Sequence, residues 1–281
     1  MPRLSRLLSI ACLSLVLPLA GQAQTIQFQA DFESPLYTLG PVGDTYLLPT
    51  SGQQGWLAAP RAPYSTAPSP WVNVSSHRAA GGSQSLQLLM DNSYFNGVNG
   101  HGASAWRDFG LQPLALNSPT DALSVSMSLY LEQSASSDLP WQLTLSTFNC
   151  CGLNVTILPN DQVGYAHNLM NTGITFTPGF SLHNTWFRLT LERDPVDYTL
   201  LRLTLNNGSQ QWQQQLTSPG SSMPYVVFGG AMPNIPTALT RGTAYVDDVL
   251  IGYNLPMVPE PASAGLMLAG IAALVARQRR G

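Results

Sequence analysis

Between its two ends, the chain alternates hydrophobic and polar residues with a period of two rather than at helical spacing. The clearest example is the segment 123–131, in which leucine, valine and methionine alternate with serine. This alternation is typical of strands that bury one face of a sheet, so we predict that the serines face solvent. We predict further strands in the segments 26–32, 84–90, 141–145, 153–157, 186–193, 198–206, 210–216, 224–229 and 243–253.

Turn-forming residues separate these segments in ways that favour hairpins. Asn207-Gly208 is a two-residue turn signal, and residues 194–197 fit a type I turn. Residues 149–152 would form another hairpin tip, whereas residues 33–75 and 91–105 are expected to be long surface connections, with short strands at most near Trp56 and Trp71. About ten or eleven short antiparallel strands, with no helix between them, indicate an all-β fold of the jelly-roll sandwich type.

The first 23 residues have the order expected of a secretory signal peptide. Arg3 and Arg6 precede an apolar run over residues 7–19. Gly21 and Ala23 then place small residues at the two positions that a signal peptidase recognises. We therefore predict cleavage after Ala23.

The C-terminal segment combines a proline-rich motif, an apolar run and a basic end. These elements are Val258, Pro259, Glu260 and Pro261, the uncharged residues 262–276, and Arg277, Arg279 and Arg280. The prolines delay any helix until after residue 261, and the arginines favour the cytoplasmic face of a bilayer. As a helix the run is roughly 22 Å long, short for a hydrocarbon core of ~30 Å. A transient membrane segment fits this length better than an ordinary anchor, which is the alternative.

This order of elements resembles the PEP-CTERM sorting signal. The resemblance implies processing by an exosortase, a membrane peptidase of Gram-negative bacteria that make extracellular polysaccharide. It also implies that the C-terminal helix holds the chain in the inner membrane only transiently. We therefore expect a signal peptide at 1–23, a jelly-roll domain at 24–255 and a sorting signal at 256–281, in a protein destined for the cell surface or the extracellular matrix.

Composition narrows the range of partners. The chain has no lysine, and without the arginines of its two terminal signals seven arginines remain against 15 acidic residues, a net charge of −8. Nucleic-acid phosphates require a basic surface, so this balance excludes nucleic acid as a partner.

Two adjacent cysteines, Cys150 and Cys151, remain once the signal peptide with Cys12 has been removed. In an oxidising compartment we expect them to form a vicinal disulfide; free or intermolecularly bridged thiols are the alternatives. Adjacent cysteines lack the C-x-x-C spacing of a metal site.

The body of the chain, residues 26–253, resembles the concanavalin A-like and carbohydrate-binding-module jelly rolls of secreted bacterial proteins. The matching segments are an opening strand at 28–33, a glycine-led strand entry at 81–86 and a closing strand at 245–251. The resemblance implies that the first and last strands are neighbours. It also implies a structural calcium ion bound by residues from Asp31, Glu33, Asp247 and Asp248; solvated carboxylates at the strand ends are the alternative.

Catalytic motifs are weak. The segment from Glu192 to Asp197 is similar to the Glu-x-Asp-x-x-Glu strand of laminarinase-like hydrolases, which place two carboxyl groups about 5 Å apart. It departs from that pattern because Asp197 replaces the second glutamate and Pro195 interrupts strand pairing. A hairpin turn explains the segment better, so we predict no catalytic residues.

A binding function is the remaining prediction. Trp56, Trp71 and Trp106 lie in or beside the irregular segments and are candidates for stacking on sugar rings, with packing in the core as the alternative. Our main hypothesis is a non-enzymatic exported protein that binds extracellular polysaccharide. A polysaccharide-active hydrolase or lyase of the same fold, and a structural matrix component without a ligand, are the competing hypotheses.

Overall fold

The computed structural model describes residues 24–43, 52–59, 72–91, 104–109, 114–115, 121–132, 141–147, 150–166, 174–194, 196–197, 199–217, 222–223, 225–230 and 241–255. The predicted signal peptide, Trp71 and the whole C-terminal segment 256–281, with its predicted helix, lie outside these residues. In the part that is described, no helix is long and apolar enough to cross a membrane.

The described residues form short strands and one 3-10 turn, Gln53–Gly55. The strands are β1 (Thr25–Ala30), β2 (Gly40–Pro41), β3 (Leu57–Ala59), β4 (Val72–Ser75), β5 (Ser85–Asp91), β6 (Ser104–Asp108), β7 (Leu114–Ala115), β8 (Leu123–Glu132), β9 (Trp141–Thr147), β10 (Cys150–Ile157), β11 (Val163–Ala166), β12 (Ile174–Phe176), β13 (Trp186–Arg193), β14 (Leu200–Asn206), β15 (Gln211–Thr217), β16 (Ser222–Met223), β17 (Tyr225–Gly230) and β18 (Arg241–Tyr253).

These strands build two antiparallel sheets and a short ribbon of β7 with β16. The larger sheet has the order β15-β14-β13-β8-β18-β5-β4-β2, and β1 also pairs with β18. The smaller sheet has the order β12-β11-β10-β9-β17-β6-β3. Most neighbours are distant in sequence, as in a jelly roll, and the predicted jelly-roll sandwich is confirmed.

One hydrophobic core lies between the two sheets. In β13, partly exposed and buried residues alternate strictly, which places Leu189 and Leu191 on the inner face. The smaller sheet contributes residues such as Val155 and Ile157 to the same cluster. The larger sheet therefore has an inner apolar face and an outer face on which Trp186 and the other even-numbered residues of β13 lie.

The first and last strands are neighbours, as the family resemblance implied. Phe28 of β1 lies opposite Ile251 of β18, and Ala30 lies opposite Val249. The pairing of β18 with β8 shifts register between Asp247 and Leu250, so β18 contains a bulge. A bulge changes the direction of the side chains next to it, here the two adjacent aspartates.

The hairpins predicted at residues 194–197 and 207–208 are confirmed, whereas Cys150 and Gly152, which were predicted to form a hairpin tip, lie within β10. The connection between β14 and β15 has four residues, because Asn206 pairs with Gln211. The side chain of Asn207 accepts the backbone N–H groups of Ser209 and Gln210, which supports the longer loop. The strands β11 and β12 were missed because three or four residues are too few to show alternation.

The serines of β8 lie on the outer face, as the alternation predicts, yet they are only 5–8% exposed. Ser126 is hydrogen-bonded to Thr190 of β13, and Ser128 donates to Asp248 of β18. Longer side chains of the two neighbouring strands therefore meet above these small ones.

Candidate functional site

A loop of residues 76–84 joins β4 to β5 on the outer face of the larger sheet, and a buried carboxylate holds its middle. Oδ2 of Asp247 accepts the backbone N–H groups of Ala80 and Gly81 at 2.8 and 3.3 Å. Oδ1 of the same side chain accepts the N–H of Asp248 at 2.8 Å. Three N–H donors thus compensate the burial of a side chain that is 1% exposed.

A second carboxylate, Glu33, holds the end of the same loop. Its Oε1 accepts the N–H groups of Ser83 and Gln84, both at 2.6 Å, and its Oε2 accepts the Ser83 hydroxyl at 2.8 Å. Gly82 directly precedes Ser83 and has a backbone φ of 62°. A Cβ atom on residue 82 would collide with the Glu33 carboxylate. Glycine is therefore required for this close approach.

The four carboxylates that were predicted to bind calcium are not gathered into one cluster. Asp31 accepts the N–H of Glu33, and Asp248 accepts the hydroxyl of Ser128. No group of three or more His, Cys, Asp or Glu side chains within the described residues could hold a metal ion. The structural calcium ion stays a prediction, and within the described residues Asp247 and Glu33 accept backbone N–H groups.

Burial and hydrogen bonding shift the pKa values of Asp247 and Glu33, the two carboxylates that hold the loop, in opposite directions. Desolvation raises the pKa of Asp247 to about 6, even though the N–H groups of Ala80, Asp248 and Gly81 oppose the shift. For Glu33 desolvation is outweighed by the donors from Ser83 and Gln84, and its pKa is lowered. The difference follows from the nearly complete burial of Asp247 at the bulge of β18.

We expect the free energy of unfolding to decrease as the pH rises from about 4 to about 6 because of Asp247. Its pKa is about 6 in the folded protein against an ordinary value of 3.8, so the folded state binds the proton more tightly in this interval. Urea unfolding curves at several pH values measure the effect. Asp247→Asn should remove it, whereas Glu33→Gln should remove a contribution of opposite sign. A pH slope that is unchanged in Asp247→Asn would contradict the assignment.

An aromatic–arginine cluster lies beside this loop on the outer face; it consists of Arg78, Gln87, Tyr130, Trp186 and Tyr245. The Arg78 guanidinium carbon lies 4.3 Å from the centre of the Tyr130 ring and 5.9 Å from that of Tyr245. The Tyr130 and Trp186 rings meet edge to face at 5.6 Å, and Gln87 donates to the Tyr245 hydroxyl at 3.1 Å. Cation–π contacts, ring contacts and a hydrogen bond thus join all five side chains.

Strand register explains why these residues meet. Trp186 of β13 lies opposite Tyr130 of β8, Tyr130 lies opposite Tyr245 of β18, and Tyr245 lies opposite Gln87 of β5. Four adjacent strands give a row roughly 14 Å long at the usual strand spacing. The tyrosines, 9% and 1% exposed, form its floor, while Trp186 and Arg78 remain partly exposed above it.

A second row lies two residues further along the strands, about 7 Å away. It contains Arg188 of β13, then Ser128 of β8, then Asp247 at the bulge of β18. Burial lowers the pKa of Arg188, and the negative charge of Asp248 opposes that change. The Nε of Arg188 is buried and has no hydrogen-bond partner among the described residues.

The two glutamates of the outer face are each held by an arginine. Arg78 bonds to Glu132 at 3.1 Å, and Arg202 bonds to Glu192 at 3.0 Å. Glu192 lies opposite Ser124 on β8, eight residues from Glu132, which separates the two carboxylates by roughly 27 Å. This separation is too large for the paired-carboxylate chemistry of glycosidases, which needs about 5–10 Å.

The segment that is similar to a hydrolase motif forms a turn between β13 and β14. Asp194 accepts the N–H groups of Val196 and Asp197 at 2.8 and 3.0 Å. Asp197 accepts both the N–H and the hydroxyl of Thr199. The hairpin interpretation is therefore confirmed for these carboxylates.

The two described tryptophans among the glycan-binding candidates lie in different environments. Trp56 is 0% exposed and its indole N–H donates to the Tyr37 hydroxyl, so the prediction that it contacts glycan is wrong. Trp106 follows the buried Ala105 on β6, which places it on the outer face of the smaller sheet, away from the aromatic–arginine cluster. Trp71 lies outside the described residues.

The cysteine pair begins β10, and Cys150 lies opposite Thr147 of β9. The register shifts between Cys150 and Leu153, so the second cysteine falls in an irregular part of the pairing. The side chains of both cysteines are outside the described set, and the vicinal disulfide stays a prediction.

Sequence reasoning missed the whole aromatic–arginine cluster. One usable signal was present, because Tyr130 continues the serine alternation of β8 and must share its outer face. Trp186, at the first position of a predicted strand, could be assigned to the outer face by the same rule. Gln87 alternates with Leu86 and Leu88 in a predicted strand and follows the same rule, whereas Arg78 gave no signal, since only the fold brings it to these strands.

Comparison with known families identifies the C-terminal segment. Residues 258–280 match the PEP-CTERM protein-sorting motif. The predicted sorting signal is therefore confirmed, and it marks the chain as an exported protein that an exosortase processes and sorts to the cell surface. No curated protein is significantly similar to the chain in sequence.

Solved structures similar to this fold are β-sandwiches of varied activity. A cellulose-induced protein, Cip1, is 14% identical, with a TM-score of 0.46 over 80% of this chain and 96% of its own. An endo-β-1,4-glucuronan lyase from the fungus Trichoderma reesei is 13% identical, with a TM-score of 0.49 over 81% of this chain and 95% of its own. Peanut lectin is 11% identical, with a TM-score of 0.42 over 72% of this chain and 99% of its own.

Proposed function

We propose that the protein is a non-enzymatic component of the cell surface or exopolysaccharide matrix that binds glycan at the aromatic–arginine cluster. The sorting motif supports delivery to a compartment where extracellular polysaccharide is the abundant ligand. The observation that carries the binding proposal is the row from Trp186 through Tyr130 and Tyr245 to Gln87 on the outer face.

The chemistry of the row suits a sugar chain. The C–H faces of a sugar ring pack on aromatic rings, and Trp186 is the partly exposed ring of the row. Gln87, at the other end, and Arg78, which lies over the two tyrosines, are polar groups able to reach sugar hydroxyls. An extended row of aromatic and polar groups has the dimensions of a short oligosaccharide and not those of a small pocket ligand.

Two features favour binding without turnover. Desolvation by burial raises the pKa of Tyr245, so its hydroxyl keeps its proton at neutral pH and is a poor general base. Glu132 and Glu192, the glutamates of this face, are far apart and engaged by arginines. Detectable cleavage on a panel of polysaccharides would overturn the non-enzymatic part of the proposal and favour the hydrolase or lyase hypothesis.

Trp186→Ala is expected to weaken glycan binding by about tenfold or more. Truncating a central aromatic contact typically costs about 2 kcal/mol, and each 1.4 kcal/mol is tenfold in affinity. The measurement is affinity electrophoresis of the exported protein through gels that contain individual polysaccharides.

Trp106→Ala is the matched control, because it removes a tryptophan from the outer face of the other sheet. It should leave the migration of the protein unchanged. Equal retardation of the Trp186→Ala variant and the unsubstituted protein by a binding polysaccharide would contradict the proposed location of the site. Retardation by no polysaccharide would contradict glycan binding itself and leave the structural matrix hypothesis.

A further inference from the structure

We infer that the aromatic–arginine cluster and the adjoining Arg188 select a neutral glycan, one whose sugars carry hydroxyl groups but no carboxylate or sulfate. This inference rests on the proposed glycan-binding function and adds the chemical class of the ligand. It is based on how charges are placed on the outer face of the larger sheet.

The charges of this face do not favour an anion. Its described residues include three arginines, Arg78, Arg188 and Arg202, and four carboxylates, Glu132, Glu192, Asp247 and Asp248. The exported chain as a whole, with these residues included, carries a net charge of −8. A polyanionic glycan would meet repulsion both at long range and at the site, because like charges in contact cost free energy and complementary potentials steer association.

Most of the positive charge is also already paired. The Arg78 and Arg202 guanidinium groups bond to Glu132 and Glu192 at 3.1 and 3.0 Å. A ligand carboxylate would have to displace the carboxylate of the protein from each arginine. A sugar hydroxyl needs no displacement, since it accepts from one group while it donates to another.

The preference for a neutral ligand over an anionic one is clearest at Arg188 and Asp248. The two side chains interact electrostatically, but the described structure places no ion pair or hydrogen bond between them. Among the described residues, the buried Nε of Arg188 has no acceptor, and the carboxylate of Asp248 accepts from the hydroxyl of Ser128. A hydroxyl inserted between them would accept from Arg188 and donate to Asp248, which satisfies a donor that is otherwise costly to leave unpaired.

The position of this pair fits the proposed binding row. Arg188 is two residues from Trp186 on the same face of β13, so the Cα atoms of the two residues lie about 7 Å apart. A sugar ring packed on Trp186 would therefore project its hydroxyls towards Arg188 and Asp248. Specificity arises here because a ligand that cannot both accept from Arg188 and donate to Asp248 leaves one of the two charged groups unsatisfied.

The test compares matched neutral and acidic probes with the purified exported protein. Laminarin, dextran and cello-oligosaccharides are the neutral probes, and alginate and polygalacturonate are the acidic ones. We expect at least one neutral probe to bind, with an affinity that changes less than twofold between low and high salt, and no acidic probe to bind. Charge-driven binding would instead weaken strongly as salt screens it.

Two variants assign the effect to the charge pair. Arg188→Ala and Asp248→Asn should each lower the affinity for the neutral probe by about tenfold, the effect of losing one hydrogen bond to a charged group. Arg188→Lys, which keeps the charge but loses Nε, should show a similar loss even if the alanine variant folds poorly. Arg202→Gln is the control, because its ion pair with Glu192 lies roughly 20 Å from Trp186, and it should bind normally.

The outcomes separate this inference from the function on which it rests. Salt-sensitive binding of an acidic probe would overturn the inference and leave glycan binding in place. Neutral binding that none of the Arg188 and Asp248 variants affects would also overturn it. Absence of binding to any probe would overturn the proposed function as well.

Discussion

Trp56→Ala is expected to lower the free energy of unfolding by about 3–5 kcal/mol and the melting temperature by roughly 10 °C. Trp56 is 0% exposed and lies among other aromatic rings. The centre of its ring system is 5.4 Å from that of Phe28 and 5.7 Å from that of Phe32. Its removal leaves a cavity beneath the first strand, and it leaves the Tyr37 hydroxyl without the indole N–H that now donates to it at 3.1 Å. Thermal and urea unfolding of the purified protein measure the loss.

Two further variants test whether the decrease in the free energy of unfolding comes from the loss of a core side chain. Trp56→Phe keeps a ring but not the N–H donor, and it should recover most of the lost stability. Trp186→Ala removes a tryptophan from the outer face and should reduce stability much less, while it reduces glycan binding. If Trp56→Ala instead retained full stability and lost glycan binding, Trp56 would be part of a binding surface and not of the core.

The strands could be predicted because local alternation and burial agree. In β13 the sequence predicts residues 186–193, and the structure forms Trp186–Arg193 with strictly alternating burial. In β8 the serines mark one face and Leu129 the other. A strand with one buried face has its register specified by that face, so the pattern is visible in the sequence.

The aromatic–arginine cluster could not be predicted in the same way. It depends on which strands are neighbours, and Tyr130 meets Tyr245 because β8 pairs with β18 across more than a hundred residues. A register shift of one residue would move the tyrosines to opposite faces. Alternation within each strand carries no information about which strands are neighbours or about the register in which they pair.

The calcium prediction shows a second limit of what the sequence can predict about a site. The sequence correctly placed acidic residues just after the first strand and in the last strand, and these strands are neighbours. It did not show that Asp247 and Glu33 would accept backbone N–H groups from the loop 76–84. Carboxylate oxygens accept such donors as readily as they bind cations, and the loop comes from a separate part of the chain.

Replacement of Pro259, Glu260 and Pro261 by alanine, glutamine and alanine should abolish processing at the C-terminus. These residues lie in the matched sorting motif, residues 258–280, and the substitutions remove both the charge and the two prolines that set where the predicted apolar helix can begin. A longer uninterrupted helix would also match a bilayer better and favour retention. Mass spectrometry of the protein from membrane and surface fractions should find the variant only at full C-terminal length.

The control is Pro256→Ala, which removes a proline two residues before the matched motif and should leave processing intact. In cells without exosortase, the unsubstituted protein should show the same retained, full-length product as the motif variant. Because the β-sandwich ends before the motif, glycan binding by extracted protein should be equal in all three cases. Normal cleavage of the motif variant, or cleavage that persists without exosortase, would show that another protease releases the protein and that the matched residues are not its signal.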